Sequence, residues 1–177
     1  HKGEAIGVLT TAVDITARKF AEEHRTHLAL HDMLTGLPNR VLLAENVKST
    51  IDHCKKTNSE AALLLLDLDR FKVINDTRGH HSGDALLREI AERISKVIGP
   101  DDFAARIGGD EFAIIFSKFE SIDSINSRCA KILNSINEPY AISGVGQVIS
   151  ASIGVSLIPS DGDEYEEVLR MADLAMY

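Results

Sequence analysis

Phe103-Ala104-Ala105-Arg106-Ile107-Gly108-Gly109-Asp110-Glu111-Phe112-Ala113-Ile114-Ile115-Phe116 is a pair of apolar runs divided by two glycines and two acids. The runs over 103–107 and 112–116 suit a pleated surface, and Gly108-Gly109 is a hairpin signal, so the stretch predicts two antiparallel strands. Asp110 and Glu111 then stand at the turn. Acidic residues form strands poorly, so each needs a reason to be there.

Working outward, Ala61-Ala62-Leu63-Leu64-Leu65-Leu66 before Asp67 is apolar without alternation, which predicts a strand over 61–67 covered on both faces. A helix is expected over 40–54, apolar at Val41, Leu42, Val47 and Ile51, and a short helical turn over 71–74. An amphipathic helix over 85–98 carries Leu86, Ile90, Ile94 and Val97 on one stripe and is closed by Gly99-Pro100. After the hairpin come a helix over 122–136, a Gly144/Gly146 turn, strand material over 148–158 and a last helix over 165–177. The order β, α, β, β, α, β with a helix in front predicts an α+β fold. Its core is a ferredoxin-like, palm-like βαββαβ unit with a central antiparallel sheet flanked by helices.

Residues 17–31 read as a helical, coiled-coil-like linker, with Arg18, Lys19, Glu22, Glu23 and Arg25 and too few apolar residues to bury itself. Phe20, His24, His27 and His31 recur at steps of four, three and four, the seam of a paired helix. Without a nearby carboxylate-and-cysteine set, those histidines read as solvated or seam residues rather than metal ligands.

A chain of 177 residues holds one full domain and a connecting segment, and 44% apolar with 26% charged residues is an ordinary globular balance. No stretch approaches the roughly 20 apolar residues that span a bilayer, and the first residues show no signal-peptide core. The segment is therefore expected in the cytoplasm, with no direct membrane insertion. Cys54 and Cys129 lie far apart without metal-ligand spacing, as reduced buried or half-buried thiols do. A net charge of −8 argues against broad nucleic-acid binding, but not against a nucleotide carried with divalent cations.

Asp67 closes an apolar strand and Asp110 opens a hairpin strand. Each alone could be structural, Asp67 capping the next helix and Asp110 shaping the turn. If the strand and hairpin are neighbours in one sheet, the two carboxylates converge, and a hard cation would relieve their repulsion while holding phosphate oxygens. Lys72 could reach those phosphates or simply be an exposed lysine. Asn75 and Asp84 have the donors and acceptors to read guanine, although Asn75-Asp76 also suits a turn and Asp84 suits a helix start.

Taken together these residues resemble a known family. Gly108-Gly109-Asp110-Glu111-Phe112 is similar to the signature of the GGDEF family, the diguanylate cyclases. His31-Asp32-Met33-Leu34-Thr35-Gly36-Leu37-Pro38-Asn39-Arg40 resembles its opening motif. Asp67-Leu68-Asp69-Arg70-Phe71-Lys72-Val73-Ile74-Asn75-Asp76-Thr77, with Gly79-His80 and Gly83-Asp84, resembles its nucleotide-binding stretch. Ser152-Ile153-Gly154-Val155 and Ala172-Asp173-Leu174-Ala175-Met176-Tyr177 resemble its last strand and helix. The likeness runs in order from Leu30 to Tyr177.

The resemblance implies condensation of two GTP into cyclic di-GMP with Mg²⁺, or Mn²⁺ in its place, across a homodimer of domains. It implies metal binding by Asp67, Asp110 and the Leu68 backbone carbonyl, and transition-state stabilisation by Lys72. Glu111 is the second acid of the signature, and Asp110 is also the candidate for helping to deprotonate the 3′-hydroxyl. GTP contacts are implied for Phe71, Asn75, Asp84, Gly108 and Gly109, the glycines letting the backbone approach the triphosphate. Arg106 matches a frequent family arginine or is a surface ion pair.

The opening segment has a resemblance of its own. Gly3 through Glu23, with Asp14-Ile15-Thr16-Ala17-Arg18-Lys19, resembles the last strand and exit of a PAS sensory domain. This gives expected units of 1–16 (PAS remnant, with an upstream PAS sensor as partner), 17–31 (linker) and 32–177 (the GGDEF domain). The family normally continues past the position of Tyr177 with a phosphate-holding lysine and arginine, so the expectation is a fragment with weak GTP binding of its own. An inhibitory product site of pattern Arg-x-x-Asp is also implied, but its arginine position is Gly99 while Asp102 remains, so strong product inhibition is not expected. Two other readings stand beside the cyclase. One is a catalytically silent GTP-binding module governing an attached cyclic di-GMP phosphodiesterase or other output domain. The other is a polymerase-like nucleotidyl transferase, against which the acidic charge and the lack of a basic groove count.

Overall fold

The computed structural model describes residues 25–142 and 145–176. The PAS-like segment 1–16, linker residues 17–24 and Tyr177 lie outside the described residues; residues 25–30 are helical and lead into the domain. The elements are α1 (Arg40–Thr57), β1 (Ala61–Leu68), α2 (Phe71–Arg78), α3 (His80–Val97), β2 (Phe103–Gly108), β3 (Glu111–Phe116), α4 (Ile122–Asn137), β4 (Tyr140–Ile142), β5 (Val145–Gln147), β6 (Ala151–Ile158) and α5 (Tyr165–Met176).

Four strands form one sheet in the order β2-β3-β1-β6, and each neighbouring pair is antiparallel. This is the expected α+β, ferredoxin-like arrangement, with β1 at the centre. Its unbroken apolar run has two destinations because successive side chains of a strand point to opposite faces. Ala62, Leu64, Leu66 and Leu68 pack with Leu86 and Ile90 of α3 and Ile125 and Ile132 of α4. Ala61, Leu63 and Leu65 pack with Leu43 and Val47 of α1 and Val168 and Ala172 of α5. Full burial of a leucine contributes about 1.5–3 kcal/mol, so the double cover explains why polar residues are excluded until Asp67.

Three boundaries differ from expectation. α2 runs for two turns rather than one, so Asn75-Asp76 is helix and not a turn. α3 starts at His80 instead of 85, separated from α2 by Gly79 alone, whose φ of 81° lies in the region glycine favours. β6 starts at Ala151 rather than 148, and the stretch before it supplies a separate two-stranded sheet, β4 with β5. The expected Gly144 turn falls outside the described residues. The cysteines are free, Cys54 buried and Cys129 half-buried.

Candidate functional site

The register of the sheet brings the acids together. Asp67 stands opposite Glu111 on β3 and opposite Ser152 on β6, and Asp110 immediately precedes Glu111 in the hairpin turn. Burial raises the Asp67 carboxyl above its ordinary range, and the negative charges of Asp110, Glu111 and Asp69 raise it further. The bland reading of Asp67 as a helix cap is not met: the N-cap of α2 is Arg70, and no side chain caps that helix. Among the described residues, no hydrogen bond or ion pair engages the carboxylates of Asp67, Asp110 or Glu111.

Oxygen donors of this kind suit a hard divalent cation. Among the described residues no three His, Cys, Asp or Glu side chains close around one point as a complete metal site. Mg²⁺ does not need such a cage, because it is commonly held by one or two carboxylates and completes its shell with water and substrate phosphates. Asp67, Asp110 and the Leu68 carbonyl, all oxygen donors with unneutralised charge beside them, fit that pattern. An open groove of about 730 Å³ runs past this sheet end, lined in part by Asp67, Asp69, Arg70, Val73, Gln147 and Ser150.

Three of the GTP-contact candidates, Phe71, Asn75 and Asp84, lie at the α2–α3 junction, and the other two, Gly108 and Gly109, in the hairpin. Phe71 and Asn75 of α2 pack against Gly83 of α3, which Asp84 follows; Phe71 and Gly83 are buried, Asn75 and Asp84 half-buried. The Asn75 Oδ1 is buried and finds no hydrogen-bond partner among the described residues. Lys72 is exposed on the first turn of α2, engaged with neither group. The structure therefore brings together the acids in one place and Phe71 and Asn75 with Gly83 in another, with Lys72 on the same helix as Phe71 and Asn75.

Two positioning elements escaped the sequence reading of roles. Asp69 is held by Ser150 Oγ (2.6 Å) and Ser152 Oγ (2.9 Å), and its N–H donates to the Ser150 carbonyl at 2.9 Å. These bonds pin the β1–α2 turn, including Arg70 at φ 59°, to the start of β6. Arg106 is 11% exposed and is no surface ion pair. Its Nε and Nη2 donate to the Gly109 carbonyl at 3.1 and 2.7 Å, and its Nη1 donates to Asp32 Oδ1 at 2.8 Å. Thr35 adds its N–H (2.9 Å) and Oγ1 (2.7 Å) to the same Asp32 oxygen. Burial would raise the Asp32 carboxyl, but the bonds from Thr35 and Arg106 outweigh it and leave it lowered. One guanidinium thus fixes the carbonyl that precedes Asp110. Gly109, at φ 55°, accepts the left-handed conformation this turn requires.

At the other end of β2, Asp102 is already engaged. Its carboxylate accepts the Gly99 N–H at 2.6 Å and an Nη2–H of Arg128, whose guanidinium lies 3.5 Å from the Phe116 ring centroid.

Comparison with known proteins identifies the family and agrees with the fold. The family model described as the GGDEF domain of diguanylate cyclases matches residues 29–177. The bifunctional diguanylate cyclase/cyclic di-GMP phosphodiesterase MucR of Pseudomonas aeruginosa is 42% identical over 167 residues, which is 94% of this chain and 24% of that protein. The cyclic di-GMP phosphodiesterase NbdA of the same organism is 39% identical over 150 residues, 85% of this chain and 19% of its own length. The chain thus spans about a quarter or less of these relatives. A crystal structure of a sensory box/GGDEF family protein from Caulobacter crescentus superposes with a TM-score of 0.79 at 36% identity, covering 84% of this chain and 96% of that one. The chain belongs to the GGDEF-domain family of diguanylate cyclases.

Proposed function

We propose that this domain is an active diguanylate cyclase that condenses two GTP into cyclic di-GMP and two pyrophosphates across a pair of domains. The observation that carries the reading is the sheet-end cluster: Asp67 is raised by burial and by Asp110 and Glu111, and among the described residues no cationic side chain pairs with it. Asp67, Asp110 and the Leu68 carbonyl would hold Mg²⁺, or Mn²⁺ in its place. When bound, the ion supplies charge neutralisation at the reacting phosphate and lowers the pKa of the attacking hydroxyl.

This chain's own residues then divide the remaining work. Asp110 accepts the proton of the 3′-hydroxyl as its oxygen attacks the α-phosphorus of the partner domain's GTP, and the bond to pyrophosphate breaks. Lys72, a mobile point charge on α2, stabilises the extra negative charge of that transition state. Asn75 and Asp84 read the guanine edge, Phe71 walls the base, and Gly108 and Gly109 let the hairpin backbone lie close to the phosphates. Because each domain holds one GTP and the product has two phosphodiester links, a second copy of the domain must face the first. The helix entering at residues 25–30 is the natural place to control that pairing. An upstream PAS sensor, a linker over 17–31 and a cyclase unit over 32–177 are the organisation that goes with this reading.

The test is to supply the full-length protein with GTP and Mg²⁺ and to look for cyclic di-GMP by chromatography. Product is expected from the wild type and none from Asp67→Ala or Asp110→Ala variants that remain folded. The second reading, a silent GTP-binding module, draws on the likeness to NbdA, which is named for phosphodiesterase activity. A verified dimer that binds GTP and yields no product would establish that reading instead.

A further inference from the structure

Glycine inside a long helix is unfavourable relative to alanine, so a buried one calls for a cause. Gly83 sits in the first turns of α3 and is buried. Its backbone does not demand glycine, since it is absent from the positive-φ positions. The cause is across the junction. A Cβ at position 83 would overlap Asn75 Oδ1, stand 3.0 Å from Asn75 Cγ and lie 3.1 Å from Phe71 Cζ. The amide of Asn75 occupies the volume in which an alanine methyl would be. The same Oδ1 is the buried acceptor left without a partner among the described residues, and such atoms are rare enough to need an explanation.

We propose that Gly83 is a specificity-determining position that acts through Asn75: its missing side chain is the slot that holds the Asn75 amide at the angle needed to read guanine. The inference rests on the guanine reading of Asn75 given above and extends it to a residue with no polar group of its own. A methyl at 83 would drive the amide off its rotamer or forward into the space of the base. With Oδ1 buried against Gly83, the Nδ2–H groups are what the amide offers the base, and either displacement moves those donors while leaving the phosphate contacts untouched. Asp84 would still accept from the guanine N–H groups, so the loss is one of discrimination rather than of all nucleotide binding.

A double-mutant cycle in the full-length protein tests this with wild type, Gly83→Ala, Asn75→Ala and the double variant. Two quantities are read from each: the thermal midpoint without nucleotide, and the affinities for Mg²⁺–GTP and Mg²⁺–ATP by calorimetry. Gly83→Ala is expected to weaken GTP binding about tenfold while ATP binding stays within about twofold, and to lower the midpoint. In the Asn75→Ala background the same substitution should leave GTP binding unchanged and cost less of the midpoint, because the overlap with Asn75 is gone and only the 3.1 Å approach to Phe71 Cζ remains to be relieved. Should Gly83→Ala fail to fold, recovery in the double variant supports the slot and continued misfolding overturns it. Equal destabilisation in both backgrounds, or full GTP-over-ATP preference in folded Gly83→Ala, also overturns it. A wild-type chain that binds GTP and ATP alike defeats the guanine reading itself. The unfolding cycle, which needs no nucleotide, tells the two failures apart.

Discussion

Asp67 and Asp32 sit under opposite electrostatic pressure, and the sign of each sets a pH experiment. Asp67 is raised by burial and by neighbouring acids, so the folded chain takes up its proton more readily than the unfolded one. Its charge therefore costs stability above the folded pKa, and the cost vanishes as pH falls toward the ordinary value of 3.8. Asp67→Asn should raise the thermal midpoint at pH 7, lose that advantage in melts below about pH 4, and cut cyclase turnover by about 10²–10³-fold or more. Asp32 is lowered, so its contribution is present above 3.8 and is lost as pH falls through its folded pKa. Asp32→Asn should lower the midpoint at pH 7, with the difference fading in acid. A pair of melting series over pH 3–7 that gave both substitutions the same sign would contradict this assignment.

Elements show why some boundaries were legible and others not. α1 begins after Asn39, whose Oδ1 accepts from the Val41 and Leu42 N–H groups, and α4 begins after Ser121 with a reciprocal capping box. Both starts are where the sequence puts them. α2 and α3 begin after Arg70 and Gly79, neither supplying a side-chain cap and neither helix carrying an acid in its first turn. With no cap at Gly79 to mark it, the start of α3 reads five residues late, whereas α2 starts at Phe71 as expected and reads short at its C-terminal end. The same limit hid the clamps: Asp69 meets Ser150 and Ser152 81 and 83 positions away, and Arg106 meets Asp32 74 positions away. The β1–β6 register makes the first pairs neighbours, and the 31–38 turn bonded to β2 makes the second. At this scale Arg106→Lys is the informative change, because an ammonium cannot serve both the Gly109 carbonyl and Asp32 with a planar fork. It should cost about 1–3 kcal/mol in denaturant unfolding, and speed amide exchange at residues 108–111. Unchanged exchange there would mean that the guanidinium does not fix the turn.

For the whole molecule, the two-sided core places the sheet-end acids and the Gly99–Asp102 segment at opposite ends of β2. Six residues of strand separate them, about 20 Å at the rise of an extended chain. At that separation a ligand on the 99–102 segment does not touch the acids directly. The family's inhibitory pattern needs an arginine at position 99 and a free aspartate at 102, and this chain offers neither. Gly99 has no side chain, and the Asp102 carboxylate is consumed by the Gly99 N–H and by Arg128. Added cyclic di-GMP should therefore leave the initial rate of the full-length protein unchanged at concentrations near that of the enzyme, and titration should give no tight complex at 99–102. Gly99→Arg alone should not create inhibition, because Arg128 still holds Asp102, whereas Gly99→Arg with Arg128→Ala should. Tight product binding by the wild type at 99–102 would show that Asp102 leaves Arg128 readily. The ion pair stacked on Phe116 would then be an exchangeable partner of the ligand rather than a fixed part of the fold.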